Sequence, residues 1–294
     1  MFATVAALGT YGSAARAGRS ESSNDFAERF EAIERRVEGR LGVTVLEPAS
    51  GRRLGWRPDE RFPMCSTFKW LLAAQILSRV ERGEERLERR VSYGTDDLLE
   101  YAPVTREHVS EGAMSVAALC AAAVEYSDNT AANLLLAAVG GPNGFTAYLR
   151  SLGDRVTRLD RLEPELNSAV PGDPRDTTTP AAMAEDLHRV LSGDELTETS
   201  RERLLGWLMD SKTGASKLRA GLPPHWQVGD KSGMGANGAT NDVAIIWPAR
   251  ETPVLVAAYL TGSAASADER NGALAAVGEL VADWVPRQEP GNEA

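Results

Sequence analysis

Lysine is scarce in this chain: four residues, Lys69, Lys212, Lys217 and Lys231, stand against 28 arginines. Cysteine and histidine are scarcer. Two cysteines, Cys65 and Cys120, are too few for a disulfide framework. Three scattered histidines, His108, His188 and His225, show no metal-ligand spacing and lie apart from the cysteines. That disfavours a zinc site and leaves hydrolytic chemistry to side chains, so neither a metal nor a cofactor is expected. No run approaches 18 apolar residues, which excludes a membrane-spanning helix. A formal net charge of −10 argues against a nucleic-acid or anionic-membrane partner. The apolar and charged shares are those of a soluble globular protein, and 294 residues suffice for one large domain or two interleaved ones.

The ends of the chain differ from its middle. Residues 1–17, MFATVAALGTYGSAARA, are small and apolar and close on Ala15-Arg16-Ala17, the form of an export signal with its cleavage site, although a basic n-region is missing. An Ala-rich disordered leader is the alternative. Leader and linker are assigned to residues 1–23 and a single domain to 24–290. Phe26, Phe30, Ile33 and Val37 then recur at helical spacing, and Gly39 and Gly42 are read as ending that helix. GVTVLEPASGRRLGWRPDERF alternates apolar and polar residues around Ser50-Gly51, which predicts a hairpin. About 64–211 is Ala- and Leu-rich and reads as helical, with a long loop at about 154–179. Strand character returns in DVAIIWP and PVLVAAYLTG, and a last amphipathic helix covers about 266–285. The expected fold is α/β in composition (α+β): an antiparallel sheet built from both ends of the chain (about 24–63 and 212–290), both terminal helices on one face, and an inserted all-α lobe. An active site is expected at the seam between the lobes.

Four short stretches carry candidate chemistry. In MCSTFKWLLAAQIL, Ser66 and Lys69 share one helix face, so a lysine kept neutral by burial can take the serine proton. Such a Ser-x-x-Lys pair arises by chance about 0.3 times in a chain of this composition, but an ammonium inside an apolar run demands compensation. In AVEYSDNTAANLLL, Ser127-Asp128-Asn129 offers a hydroxyl, a carboxylate and an amide, or simply a helix cap. In VGDKSGMGANGATNDVAIIWP, Lys231 and Ser232 lead into strand and can hold a carboxylate. The similar Lys212-Thr213-Gly214 follows RERLLGWLM and is read as a glycine-capped helix end. In DRLEPELN, Glu163 and Asn167 can converge on one water; a solvated surface loop is the bland reading.

Together, in this order, the four resemble the class A serine β-lactamases. MCSTFK, EYAPVT, SDNTAANLLL, DRLEPELN and DKSG carry the resemblance, which covers about residues 25–285. It implies an α/β lobe and an all-α lobe with the site between them. It implies Ser66 as nucleophile toward a lactam carbonyl and Lys69 as its proton partner, with either Lys69 or Glu163 acting through water as the acylation base. Ser127 would pass a proton to the leaving nitrogen, Asn129 would bind the substrate amide, and Glu163 with Asn167 would activate the deacylating water. Lys231 and Ser232 would bind the substrate carboxylate. The N–H groups of Ser66 and Met234 would form the oxyanion hole, Tyr101 would wall the entrance, and Arg161 with Asp176 would clip the loop. The implied partners are small-molecule β-lactam substrates and inhibitors of a monomeric, exported (periplasmic or secreted) enzyme.

The departures from the family pattern are specific. Ser232 replaces the usual threonine, and Met234 stands where small or hydroxyl residues are usual. The family's cysteine partner for Cys120 falls at Ala73. That for Cys65, which resembles the carbapenem-hydrolysing members, falls at Gly235, so two free thiols are expected. Thr240 occupies the place of a carboxylate-binding arginine; Lys217 is a candidate substitute, an exposed lysine being the alternative, and Arg270 reads as structural. A D,D-peptidase or esterase would use the same Ser-Lys machinery without Glu163 and Asn167. A β-lactam sensor would stay acylated and be joined to a membrane segment or signalling domain.

Overall fold

Five strands from opposite ends of the chain pair because their apolar residues have two faces to cover. β1 (Arg40–Glu47), β2 (Arg52–Trp56), β3 (Gln227–Met234), β4 (Thr240–Trp247) and β5 (Val254–Thr261) form one antiparallel sheet in the order β2-β1-β5-β4-β3. The structure is a computed structural model that describes residues 23–248 and 252–285; the leader expected over residues 1–17 lies outside them. β1 and β5 lie side by side with Val43 opposite Ala258, which closes the sheet across the inserted region. On β5, Val254, Val256, Ala258 and Leu260 pack with α1 (Ser23–Val37) and α8 (Ala267–Trp284). Leu255, Ala257 and Tyr259 face the helical lobe. A strand covered on both faces reads as an unbroken apolar run, as PVLVAAYLTG does.

The structure departs from the expected elements at two places. α1 stops at Val37 with Glu38 in the left-handed conformation (φ 46°), just before Gly39. Gly42 is not a helix stop. It lies inside β1, where a Cβ would come within 2.3 Å of the Phe62 ring. The helical stretch also contains a two-stranded ribbon, Arg90–Ser92 with Ala113–Ser115, too short to show a period in sequence.

The inserted lobe is organised around α2 (Phe68–Glu81). Every residue from Phe68 to Ser78 is buried, as expected for a helix apolar all round. α3 (Val116–Glu125), α4 (Asn129–Ala138), α5 (Gly141–Ser151) and α7 (Glu198–Met209) pack on it, while α6 (Pro180–Ser192) lies on β1 and β5. Among the described residues no helix is long and apolar enough to cross a membrane. Arg270 on α8 donates from Nε to Thr240 Oγ1 at 3.0 Å and to the Ala265 carbonyl, so it braces β4 and does not enter the cleft.

Cys65 and Cys120 are free and buried. Burial pushes the Cys65 thiol up to about 12, with the Glu163 charge adding to the shift, and burial raises Cys120 further. Intact-mass analysis without reductant is expected to find no alkylated cysteine in the native protein and two after denaturation. Asp186 on α6 is also buried, beside Asp154, with Arg189 at 3.4 Å, and one of its oxygens has no hydrogen-bond partner. Burial first, then the Asp154 charge, holds its carboxyl well above the usual carboxylate range. The folded protein therefore retains a proton that the unfolded chain releases, so this group favours folding less as pH rises above the ordinary aspartate range. Asp186→Asn is expected to raise Tm at neutral pH, with the gain vanishing near pH 3 in a thermal-melt series.

Candidate active site

The nucleophile candidate sits where an irregular turn becomes a helix. Cys65–Thr67 form a 3₁₀ turn that runs directly into α2, and Cys65 takes a left-handed φ of 47°. Ser66 is therefore buried at the first turn of a buried helix. One helical turn on, the fully buried Lys69 meets three acceptors: Glu163 Oε1 at 2.9 Å, the Ser127 carbonyl at 2.8 Å and Asn129 Oδ1 at 2.6 Å. An ammonium has three N–H donors, and all three are used. Ser66 Oγ donates to the same Glu163 Oε1 at 3.4 Å, so serine and lysine converge on one carboxylate oxygen. Burial holds the Lys69 ammonium below the usual lysine range, the Glu163 charge opposing that shift only in part.

Ser127-Asp128-Asn129 is both a cap and a piece of the site. Asp128 is the N-cap of α4. Its buried carboxylate accepts from the N–H groups of Ala131 (2.9 Å), Val104 (3.0 Å) and Thr105 (2.9 Å) and from Thr105 Oγ1 (3.0 Å). Those bonds hold Ser127, in a left-handed conformation (φ 62°), and Asn129 toward the cleft. Ser127 Oγ accepts from Lys231 Nζ at 3.0 Å, and Lys231 also donates to the Ser232 carbonyl at 2.7 Å. Burial, reinforced by the nearby Lys69 charge, places Lys231 well below the usual lysine range.

The long loop supplies the carboxylate. Arg161 Nε pairs with Asp176 Oδ2 at 2.6 Å, and Asp176 Oδ1 accepts from the N–H groups of Asp160 (2.7 Å) and Arg161 (3.0 Å). The loop's two ends are thereby clipped. Asn133 on α4 exchanges two bonds with the Glu163 backbone, at 3.0 and 2.9 Å. Asn167 Nδ2 donates to Glu163 Oε2, and its Oδ1 is buried without a protein partner. The Glu-Pro-Asn stretch is thus no solvated surface loop.

β3 closes the other wall. Gly233 lets the strand approach the nucleophile turn: a Cβ there would stand 2.9 Å from the Met64 carbonyl and 3.1 Å from the Ser66 nitrogen. Ser66, Tyr101, Ser127, Asn129, Asn167, Thr213, Lys217, Ser232, Gly233 and Met234 line one cleft of about 340 Å³. Tyr101 (51% exposed) and Met234 (46%) form its rim. Lys217 is buried, not exposed, and its Nζ donates to the Thr213 carbonyl at 2.9 Å.

The Lys212 stretch is divided by the structure. Lys212 points to solvent, but Ser232 Oγ donates to Thr213 Oγ1 at 2.6 Å, so Thr213 belongs to the cleft wall. Gly214 is not a helix cap: α7 ends at Met209, and Gly214 lies against the Asp230 carboxylate. Sequence reasoning passed over Thr213, Asn133 and the buried pair Asp230 and Asp242. Asp230 pairs with Arg219 at 2.9 Å, and burial next to Asp230 holds the Asp242 carboxyl well above the usual range. Asn133, Asp230 and Thr213 lie inside the stretches SDNTAANLLL, DKSG and Lys212-Thr213-Gly214, but nothing local shows which distant partners they meet. Asp128→Ala would strand the N–H groups it satisfies, and a loss of about 2–4 kcal/mol is expected as a lower guanidinium midpoint.

The family model described as "Beta-lactamase enzyme family" matches residues 25–285. Beta-lactamase L2 of Stenotrophomonas maltophilia is 52% identical over 270 residues, covering 92% of this chain and 89% of that protein. Beta-lactamase CTX-M-8 of Citrobacter amalonaticus is 46% identical over 261 residues, 89% of each. The solved structure of the class A β-lactamase of the last common ancestor of Gram-negative bacteria (GNCA4) superposes with a TM-score of 0.86 at 60% identity, covering 87% of this chain and 98% of that one.

Proposed function

The chain belongs to the class A β-lactamases, and from that premise we propose that it opens the β-lactam amide bond through a Ser66 ester and then hydrolyses the ester with a water activated by Glu163. It is a β-lactam hydrolase of antibiotic resistance. The observation that carries the mechanism is the buried Glu163 Oε1, shared by Ser66 Oγ at 3.4 Å and Lys69 Nζ at 2.9 Å.

In acylation, Ser66 Oγ bonds to the lactam carbonyl carbon and its proton leaves to the Lys69–Glu163 pair. A lysine held below its usual range gives up and takes back a proton more readily than a solvated one, which suits it to proton exchange with a serine. The N–H groups of Ser66 and Met234 receive the developing oxyanion. Each such donor is worth about 3 kcal/mol in the transition state. The carbon–nitrogen bond breaks as Ser127 passes a proton to the departing nitrogen, and Lys231, 3.0 Å from Ser127 Oγ, lowers the cost of that transfer. Lys231, Ser232 and Thr213 hold the substrate carboxylate, with Lys217 supplying the second cation that Thr240 does not. Asn129 binds the side-chain amide, and Tyr101 and Met234 flank the opening.

In deacylation, Glu163 Oε2 and the unpartnered Asn167 Oδ1 position a water. Glu163 takes its proton while the oxygen attacks the ester carbonyl, and Ser66 Oγ recovers a proton as it leaves. The chain's own residues complete this cycle. Residues 24–290 work as one catalytic domain, as a monomer exported by the leader over residues 1–17.

The test follows benzylpenicillin absorbance and intact protein mass together. Sustained turnover by the wild type is expected. Glu163→Ala should form the adduct and lose it about 10²–10⁴ times more slowly. A long-lived stoichiometric adduct on the wild type would instead identify a penicillin-binding peptidase or sensor.

A further inference from the structure

We propose that Asn237 is a positioning residue for deacylation: its side-chain amide ties the loop that carries Glu163 and Asn167 to the turn between β3 and β4. The inference rests on the role of Glu163 given above.

The turn itself explains only half of Asn237. Ala239 N–H donates to the Ala236 carbonyl at 3.1 Å, and Asn237 (φ 53°) and Gly238 (φ 67°) are both left-handed, which makes a type I′ turn. Asn-Gly is the favoured pair for such a turn because both residues tolerate positive φ. That preference concerns the backbone and leaves the amide group unused. Here Asn237 Nδ2 donates to two consecutive carbonyls, Ser168 and Ala169, each at 3.1 Å.

Those two carbonyls lie at a left-handed bend of the catalytic loop. The 3₁₀ turn Glu165–Ser168 ends at Ala169 in a left-handed conformation (φ 45°), which a residue with a Cβ adopts only when its surroundings impose it. Asn167, whose amide holds the Glu163 carboxylate, immediately precedes the tied segment, and its carbonyl accepts from Ala236 N–H at 2.9 Å. The tie is anchored on the sheet, because Gly262 N–H, just beyond β5, donates to the Asn237 carbonyl at 2.7 Å. Asn237 therefore carries the rigidity of β3–β5 into the loop end that sets Asn167. Ser66, Lys69 and Ser127 are held separately by α2 and the start of α4. The Glu163 backbone is held independently by Asn133, so loss of the tie should loosen Asn167, the water's other partner, while leaving the Ser66–Lys69–Glu163 contacts of acylation intact.

Asn237→Gly tests this because glycine keeps both left-handed positions of the turn and removes only the amide. With benzylpenicillin, decay of the acyl-enzyme, read by quenched intact mass, is expected to slow about tenfold, while kcat/KM stays within about twofold of wild type. Hydrogen–deuterium exchange across residues 163–170 should quicken in the variant without substrate. Asn237→Asp, which keeps the turn preference but faces two carbonyls with a carboxylate, should deacylate at least as slowly as the glycine variant. Unchanged deacylation in either variant, or an equal fall in kcat/KM, would overturn the proposal. Unchanged exchange over 163–170 would overturn it independently of any activity. A wild type that keeps its adduct would show instead that the reading of Glu163 has failed, and the inference with it.

Discussion

A fully buried ammonium is the constraint from which the rest of this structure follows. An isolated charge of that kind costs several kcal/mol to bury, and the cost is met only when every N–H finds an acceptor and a counter-charge stands near. Lys69 finds its three acceptors on two separate pieces of chain: the Ser127–Asn129 stretch that opens α4, and the long loop. Those pieces can meet at one nitrogen only if the loop folds inward and α4 starts where it does. The fold around the site is thus specified from its most expensive atom outward.

The loop illustrates how a polar segment is held in a buried place. Its ends are clipped by Arg161 and Asp176, its middle by Asn133 on the Glu163 backbone, and its far side by the β3–β4 turn. Each clip satisfies backbone groups that burial would otherwise leave unpaired. Glu163 is fixed with its two oxygens in different tasks, one toward Ser66 and Lys69 and the other toward Asn167.

The two fully buried lysines, Lys69 and Lys231, share a direction of shift and differ in its setting. Burial lowers both, but Lys69 has a carboxylate at 2.9 Å while Lys231 has the Ser127 hydroxyl and the Ser232 carbonyl as its hydrogen-bond acceptors. Asp230 and Asp242 oppose the Lys231 shift at longer range, and burial, then the Asp230 charge, raises Asp242. Ser127 joins the two lysines, its carbonyl on one and its hydroxyl on the other.

Much of this was legible along the chain. Strand runs at both ends, the all-apolar α2 and the spacing of Ser66 and Lys69 are local patterns, and local patterns report which face of an element is buried. Motif resemblance supplied Ser127, Glu163, Asn167 and Lys231 because family motifs preserve order and spacing. What only the tertiary structure decided is how distant pieces meet: Gly42 in a strand and not at a helix end, Thr213 and Lys217 turned into the cleft wall, Asp128 as both cap and scaffold, and the Asn237 amide on two loop carbonyls. The physical reason is that a hydrogen bond or a close approach between residues tens of positions apart depends on the register in which the lobes dock. That register is set by the whole core and leaves no period or spacing in any one segment.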